Sequence, residues 1–241
     1  MKKTAQSLNS PLTPKLWLVL PAAGSGSRFS KTQLKQYQRI QDQTVIEHTV
    51  ARLNHLPLAG YVLAISAQDD VAKNLNFVHQ KRLHFCQGGA ERVDSVLNAL
   101  NYLSNIASPQ DWVLVHDAAR PCVSKDTLNA LVEHALTHQT CTIVAIPVRD
   151  TLKRVANAPH ISETVDRREL WQAQTPQIAP LAILKHAIES ALAAGVAITD
   201  EASALEYVGH RVDVVQGRAD NLKITYPDDL ELARLVLNAQ Q

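Results

Sequence analysis

Cysteine is scarce in this chain of 241 residues: Cys86, Cys122 and Cys141 are far apart, odd in number and without a C-x-x-C pair. That excludes a disulfide framework, a zinc knuckle and a dithiol redox centre, and the three are expected to be buried thiols in a reducing compartment. Charge of one sign is missing as well. The formal net charge is +1, so no global field draws the chain towards nucleic acid or a membrane, and any positive site must be local. No apolar run approaches the roughly 18 residues of a membrane span. Met1 to Pro14 carries Lys2 and Lys3 but lacks the apolar centre of a signal peptide, so residues 1–15 are expected to be a frayed tail on a cytoplasmic protein. Internal repeats, H-E-x-x-H, a G-x-S-x-G elbow and any Ser/His/Asp or Cys/His order are also lacking, which leaves hydrolase chemistry poorly supported. The remaining length suits one α/β unit, residues 16–241, binding a small anionic ligand.

What is present is organised around Leu18 to Lys35, LVLPAAGSGSRFSKTQLK. Trp17 to Leu20 are apolar without alternation, as in a strand buried on both faces of a parallel sheet. Ala22, Ala23, Gly24 and Gly26 are small enough to let main-chain N–H groups approach a polyphosphate, and Arg28 and Lys35 add full charges. The loop is not a dinucleotide fingerprint, because the third glycine position holds Phe29, and not a P-loop, because Gly26 is followed by Ser27. A tight strand-to-helix turn would use the same residues.

Further along, Thr44 to Glu47 reads as a capping box opening a helix, and Gly60 to Ser66 as a second buried strand. A third strand, Arg82 to Cys86, ends in Gly88-Gly89 before a helix from about Glu91 to Leu103. The fourth, Trp112 to Val115, runs into His116-Asp117-Ala118-Ala119-Arg120. A helix from Ser124 to about His138 and a fifth strand, Thr142 to Val148, complete a strand–helix rhythm that predicts a doubly wound, mostly parallel α/β sheet. From Arg149 to about Val165 the rhythm stops, and a β-arm reaching towards a partner subunit is expected, with a lid as the plainer alternative. Ala179 to Ala194 reads as a helix and Val212 to Val215 as a strand. Asn221 to Thr225 suggests an edge strand before a terminal helix starting at Pro227.

Ligands of open α/β sheets bind beyond the carboxyl ends of the strands, which favours Asp117. It can be a metal ligand or a mere strand-end carboxylate; magnesium needs only one or two carboxylates when phosphates fill its other positions. His116 reads as structural. Thr175 and Thr199 have the setting of turn and helix-cap residues, and Arg167 and Lys223 that of ordinary solvated charges.

Taken together, PAAGSGSRF, LKQY, GGAERVDSV, LVHDAARP, PVRDTLKRV, TVDRREL, QTPQ, TDEASALEY and GRADNLKIT, in this order from about Leu18 to Pro227, closely resemble the 2-C-methyl-D-erythritol 4-phosphate cytidylyltransferase family. The resemblance implies a Rossmann-like nucleotidyltransferase sheet and a cytoplasmic enzyme of non-mevalonate isoprenoid synthesis. It would join CTP to methylerythritol phosphate and release pyrophosphate. It implies that Ala22, Ala23, Gly24, Ser25 and Gly26 hold the CTP phosphates, that Gly89, Ala90 and Ser95 face the cytosine, and that Asp117 holds Mg2+. Arg120, Thr151, Thr175 and Thr199 would bind the polyol phosphate, and Arg28, Lys35, Arg167 and Lys223 would be catalytic. The arm at about 149–168 would form a homodimer, with Thr151 and Arg167 serving either their own or the neighbouring subunit's site. The chain departs from the family in Leu34 for a frequent proline, Ala90 for an aspartate and Ser27 for a second arginine. A cytidylyltransferase for ribitol 5-phosphate, or a nucleotide-binding protein without turnover, is left open by the same motifs.

Overall fold

The structure is a computed structural model that describes residues 14–24, 29–30, 34–156 and 159–240. Its eleven strands are β1 (Leu16–Pro21), β2 (Arg39–Ile40), β3 (Gln43–Thr44), β4 (Leu58–Ile65), β5 (Leu83–Gln87), β6 (Trp112–Val115), β7 (Cys141–Pro147), β8 (Leu152–Val155), β9 (Ile161–Val165), β10 (Trp171–Pro180) and β11 (Val212–Gln216). The helices are α1 (Val45–Leu53), α2 (Asp70–Lys73), α3 (Arg92–Leu103), α4 (Lys125–His138), α5 (Leu181–Ala193), α6 (Glu201–Tyr207) and α7 (Asp228–Ala239). Seven strands form one sheet in the order β11-β7-β10-β6-β1-β4-β5. All its pairings are parallel except those of β10, which runs antiparallel to both neighbours. The expected doubly wound, mostly parallel sheet is therefore present.

Its two apolar layers follow from β1. Leu16, Leu18 and Leu20 point to the layer built from α1 and α4, with Ile46, Val50, Leu128 and Leu131. Trp17 and Val19 point to the opposite layer, where α3 and α5 bring Val96, Leu100, Leu184 and Ile188. Side chains alternate across a strand, so a strand covered on both faces must be apolar at every position, as Leu16 to Leu20 is. The Thr44 capping box is also formed: Thr44 Oγ1 accepts from the Glu47 N–H at 3.3 Å, and the Glu47 carboxylate accepts from the Thr44 N–H at 2.7 Å. Cys122 and Cys141 are buried and Cys86 is half-buried, all three free; burial pushes the Cys86 and Cys141 thiols up to about 11 and Cys122 up to about 12. Among the described residues, no helix is long and apolar enough to cross a membrane.

Two expectations need correction. Thr175, read as a turn residue, and Ala179–Pro180, read as the start of a helix, lie in the long strand β10, and α5 begins only at Leu181. Glutamines, a threonine and a proline disguise a strand whose second half is nonetheless buried. Pro176 has no N–H for the ladder, and the pairing with β7 shifts register between Gln174 and Gln177, the kind of irregularity that lets proline sit inside a sheet. Second, Asn221 to Thr225 is no strand. It meets the sheet end through the backbone bond from Ile224 N–H to Ala119 O at 2.9 Å and through side-chain bonds of Asn221 to Gln174 and Thr175 of β10, and the segment crosses the carboxyl end of β6 as a loop.

The sequence also gave no sign of the small β2–β3 hairpin before α1. The expected arm is a separate antiparallel hairpin, β8 with β9, in which Leu152 pairs with Val165 and Lys153 with Thr164. Its apolar Val155 and Ile161 are exposed.

Candidate active site

Three loops gather at the carboxyl ends of the parallel strands. Beyond β1, the Ala22 N–H continues the ladder to Ala64 O at 2.8 Å, and beyond β5 the Gly88 N–H does so to Ile65 O at 2.7 Å. Beyond β6, the His116 N–H bonds Val19 O at 3.0 Å. These bonds bring Ala22–Gly24, Gly89–Ala90 and Asp117–Ala119 around one open cavity of about 610 Å³, which Gln36, Arg92, Ser95 and Lys223 also line.

Close approach of two of these loops depends on glycine. A Cβ at Gly88 would lie 2.3 Å from the Ala23 Cβ and 3.0 Å from Ser95 Oγ; one at Gly89 would lie 2.1 Å from the Asp94 Cβ. Ser95 fixes the loop by accepting the Gly89 N–H at 3.0 Å. On the opposite side Gln36 donates to Ala22 O at 3.0 Å, and Tyr37 donates to Asp69, so the 3-10 turn Lys35–Tyr37 is tied at two points. Lys35 opens that turn and is half-buried.

A second cavity, of about 520 Å³, adjoins the first; Arg120, Gln174, Thr175, Gln177, Thr199 and Asp200 line it. Arg92, Asp117 and Lys223 line both. The antiparallel course of β10 makes this possible, since Gln177 pairs with Val115 at the end of β6 and the residues before it continue past that end. Thr175 Oγ1 there accepts the Asp117 N–H at 3.0 Å. Gln177 ties α6 to the same wall, donating to Asp200 at 2.8 Å and accepting the Ala202 N–H at 2.9 Å. Lys223 is delivered by its loop, which Arg120 holds through Asn221 O at 2.6 Å.

The shared wall is an ion cluster. Arg92 Nε lies 2.9 Å from Asp117 Oδ1, Lys223 Nζ 2.9 Å from Oδ2 and Arg120 Nε 3.5 Å from Oδ2. The other two nitrogens of Arg92 take both oxygens of Glu201, at 2.7 and 3.1 Å. Burial alone would raise the Asp117 pKa, but Arg92, Lys223 and Arg120 outweigh it and hold the carboxyl far below the usual range. Burial opposes the charge on Arg92 too, and Glu201 and Asp117 reverse that effect. Burial pushes His116 down to about 4, and its Nε2 meets Arg120 O at 2.9 Å; a buried imidazole, neutral at pH 7, behaves as the structural residue expected. Three cations against two carboxylates leave the wall positive. Such a wall suits two anions brought end to end, each repelling the other without it.

The structure thus brings together Ala22, Ala23, Gly24, Gly89, Ala90, Ser95, Asp117, Arg120, Thr175, Thr199 and Lys223 in two adjoining cavities. Ser25, Gly26 and Arg28 lie outside the described residues. Thr151 and Arg167 are exposed at either end of the β8–β9 hairpin and line neither cavity. Sequence reasoning missed Arg92, Glu201, Gln36, Gln174 and Gln177. Arg92 offered a signal, being a cation in the first turn of a helix, where the helix dipole disfavours it.

The profile of the 2-C-methyl-D-erythritol 4-phosphate cytidylyltransferase family matches residues 16–239. An Acinetobacter baylyi protein of that name is 66% identical over 227 residues, covering 94% of this chain and 95% of the relative. A Vibrio vulnificus protein of the same name is 46% identical over 224 residues, covering 92% and 94%. A crystal structure of 4-diphosphocytidyl-2C-methyl-D-erythritol synthase superposes with a TM-score of 0.81 at 37% identity, covering 94% of this chain and 100% of that one. The Thermus thermophilus 2-C-methyl-D-erythritol 4-phosphate cytidylyltransferase does so with a TM-score of 0.77 at 30% identity, covering 94% and 100%.

Proposed function

This chain belongs to the 2-C-methyl-D-erythritol 4-phosphate cytidylyltransferase family, and from that premise we propose how its two cavities divide the substrates. The chain is a nucleotidyltransferase of isoprenoid biosynthesis, joining CTP and 2-C-methyl-D-erythritol 4-phosphate to give 4-diphosphocytidyl-2-C-methyl-D-erythritol and pyrophosphate. CTP takes the first cavity, its triphosphate over the Ala22–Gly24 loop and its base against Gly89, Ala90 and Ser95. Methylerythritol phosphate takes the second, between Arg120, Thr175 and Thr199. The observation that carries this division is the Asp117 ion cluster, a wall common to both cavities.

The acceptor is a phosphate monoester with a second pKa of about 6, so at neutral pH its attacking oxygen already carries charge. No general base is needed. That oxygen attacks the α-phosphorus in line, the new P–O bond forms as the bond to the β-phosphate oxygen breaks, and pyrophosphate leaves with the electron pair. Repulsion between the two anions is the obstacle, and fixed cations remove it. Lys223, Arg92 and Arg120 act at the reacting ends. Lys35, with Arg28 from outside the described residues, acts on the triphosphate.

Asp117 fits magnesium in donor type and number: a hard, fully ionised carboxylate beside the phosphate site, where one or two carboxylates suffice. Its two oxygens already face three cations, so the ion would arrive with the phosphates that balance it. When bound, magnesium draws charge off phosphate oxygens. We place the enzyme in the cytoplasm as a homodimer paired through the β8–β9 hairpin, with Thr151 and Arg167 serving the neighbouring subunit's second cavity.

Pyrophosphate release from CTP and Mg2+ with methylerythritol phosphate, run beside ribitol 5-phosphate and the other nucleoside triphosphates, tests the reading. Release confined to CTP with methylerythritol phosphate is expected; preference for ribitol phosphate would reassign the second cavity, and CTP binding without turnover would remove the catalytic reading. The loop geometry adds a further expectation. Gly88→Ala forces its new methyl into Ala23, overpacking that costs about 1–3 kcal/mol, and the KM for CTP should rise about tenfold or more while that for methylerythritol phosphate changes little. Equal shifts in both would refute a CTP-specific role for this contact.

A further inference from the structure

Glu201 lines neither cavity, yet its carboxylate is buried, with the side chain 3% exposed, and both its oxygens are given to Arg92. Buried ion pairs rarely stabilise a protein more than apolar packing of the same volume, so this pair calls for another account. Arg92 stands against the dipole of α3, and the hydrogen bonds that hold its guanidinium come from outside that helix: Asp117 at Nε and Glu201 at the two terminal nitrogens. A two-point fork fixes the plane of the guanidinium as well as its place. Three of its five N–H groups are used in this way, leaving two for ligands in the cavities that Arg92 lines. Arg92 stands two residues after Ala90 of the CTP wall, and Glu201 follows Thr199 and Asp200 of the acceptor wall. The pair is therefore a strut between the two walls.

We propose that Glu201 is a positioning residue: acting through Arg92, it sets the acceptor wall in register with the nucleotide wall, so that the acceptor phosphate meets the α-phosphorus. The proposal rests on the division of substrates given above. Removing the strut should leave CTP binding by itself intact and impair the meeting of the two substrates.

A double-mutant cycle tests it, with Glu201→Gln, Arg92→Met and the pair compared in kcat/KM for methylerythritol phosphate, in CTP affinity without acceptor, and in thermal midpoint. E201Q keeps the shape of the side chain but loses the charge and one acceptor oxygen. It is expected to lower kcat/KM for the acceptor about tenfold while CTP affinity stays within about twofold of wild type. In the Arg92→Met background the same change should add nothing, the mark of two residues acting as one. Additive losses would overturn the proposal, as would a fall in CTP affinity and thermal midpoint that parallels the fall in kcat/KM. If E201Q does not fold, Glu201→Asp decides, since aspartate keeps the charge but is one methylene too short to hold the fork: a selective loss in kcat/KM for the acceptor supports the strut and a wild-type value overturns it. An inactive wild type would sink the substrate reading and this proposal together, whereas an additive cycle in an active enzyme sinks only the strut.

Discussion

Asp117→Asn is expected to lower turnover about a thousandfold and to cost roughly 3–5 kcal/mol of stability. Both effects come from one change. The Asp117 side chain is 8% exposed and its carboxylate meets Arg92, Lys223 and Arg120 within 3.5 Å. Asparagine keeps one oxygen, turns an N–H group towards a cation and removes the charge that allows three cations to share a buried site. The cluster then repels itself, and the Arg92 and Lys223 side chains lose their common partner. Because the folded-state pKa of Asp117 is depressed, its stabilisation is fully present above the unfolded value of about 4. It is lost progressively as pH falls below the unfolded value, and completely only in strong acid, at the folded value. The stability gap between wild type and variant should therefore be flat from about pH 5 to 8. Urea unfolding across that range, with pyrophosphate release at neutral pH, checks both parts; near-normal turnover would show that the cluster is not catalytic.

Lys223→Ala should separate what Asp117→Asn combines. The lysine side chain is 35% exposed, and its pair with Asp117 is only one of three, so solvent screening keeps the stability loss to about 1 kcal/mol or less. Its loop stays in place without it. Asn221 donates to Gln174 at 3.0 Å and to Thr175 O at 2.9 Å, and Arg120 grips Asn221 O. What disappears is a compact charge lining both cavities, and kcat is expected to fall about a hundredfold or more. Steady-state kinetics distinguish the roles: a loss confined to KM would mean that Lys223 only binds ground-state phosphate, while a fall in kcat places it at the transition state.

Much of this was legible in the sequence, for reasons that differ from segment to segment. The buried strand Leu16 to Leu20, the small-residue loop after it and the strand-end Asp117 carry their meaning locally, in apolar runs, missing side chains and position in the strand–helix rhythm. β10 did not, because its interior polar residues are satisfied by partners distant in sequence: Gln177 by Asp200 and Ala202, and Gln174 by Asn221 and Arg218. The loop carrying Lys223 imitated an edge strand through alternation alone. Arg92 and Glu201 stayed hidden because an ion pair spanning 109 residues leaves no local pattern. Thr151 and Arg167 became candidates through resemblance alone, and the fold places them on an exposed hairpin.

The order of strands in the sheet also bears on how such an enzyme can diversify. Every described residue lining the first cavity, apart from Lys223, falls within positions 21–119, and every one lining the second, apart from Arg92, within positions 117–223. On the proposed division of substrates, the chain is thus divided close to Asp117 into a donor segment and an acceptor segment. A change of acceptor phosphate would then fall on the later segment and leave the earlier one as it is. Arg92 and Lys223, each reaching into the other's territory, are the residues that any such exchange must carry along.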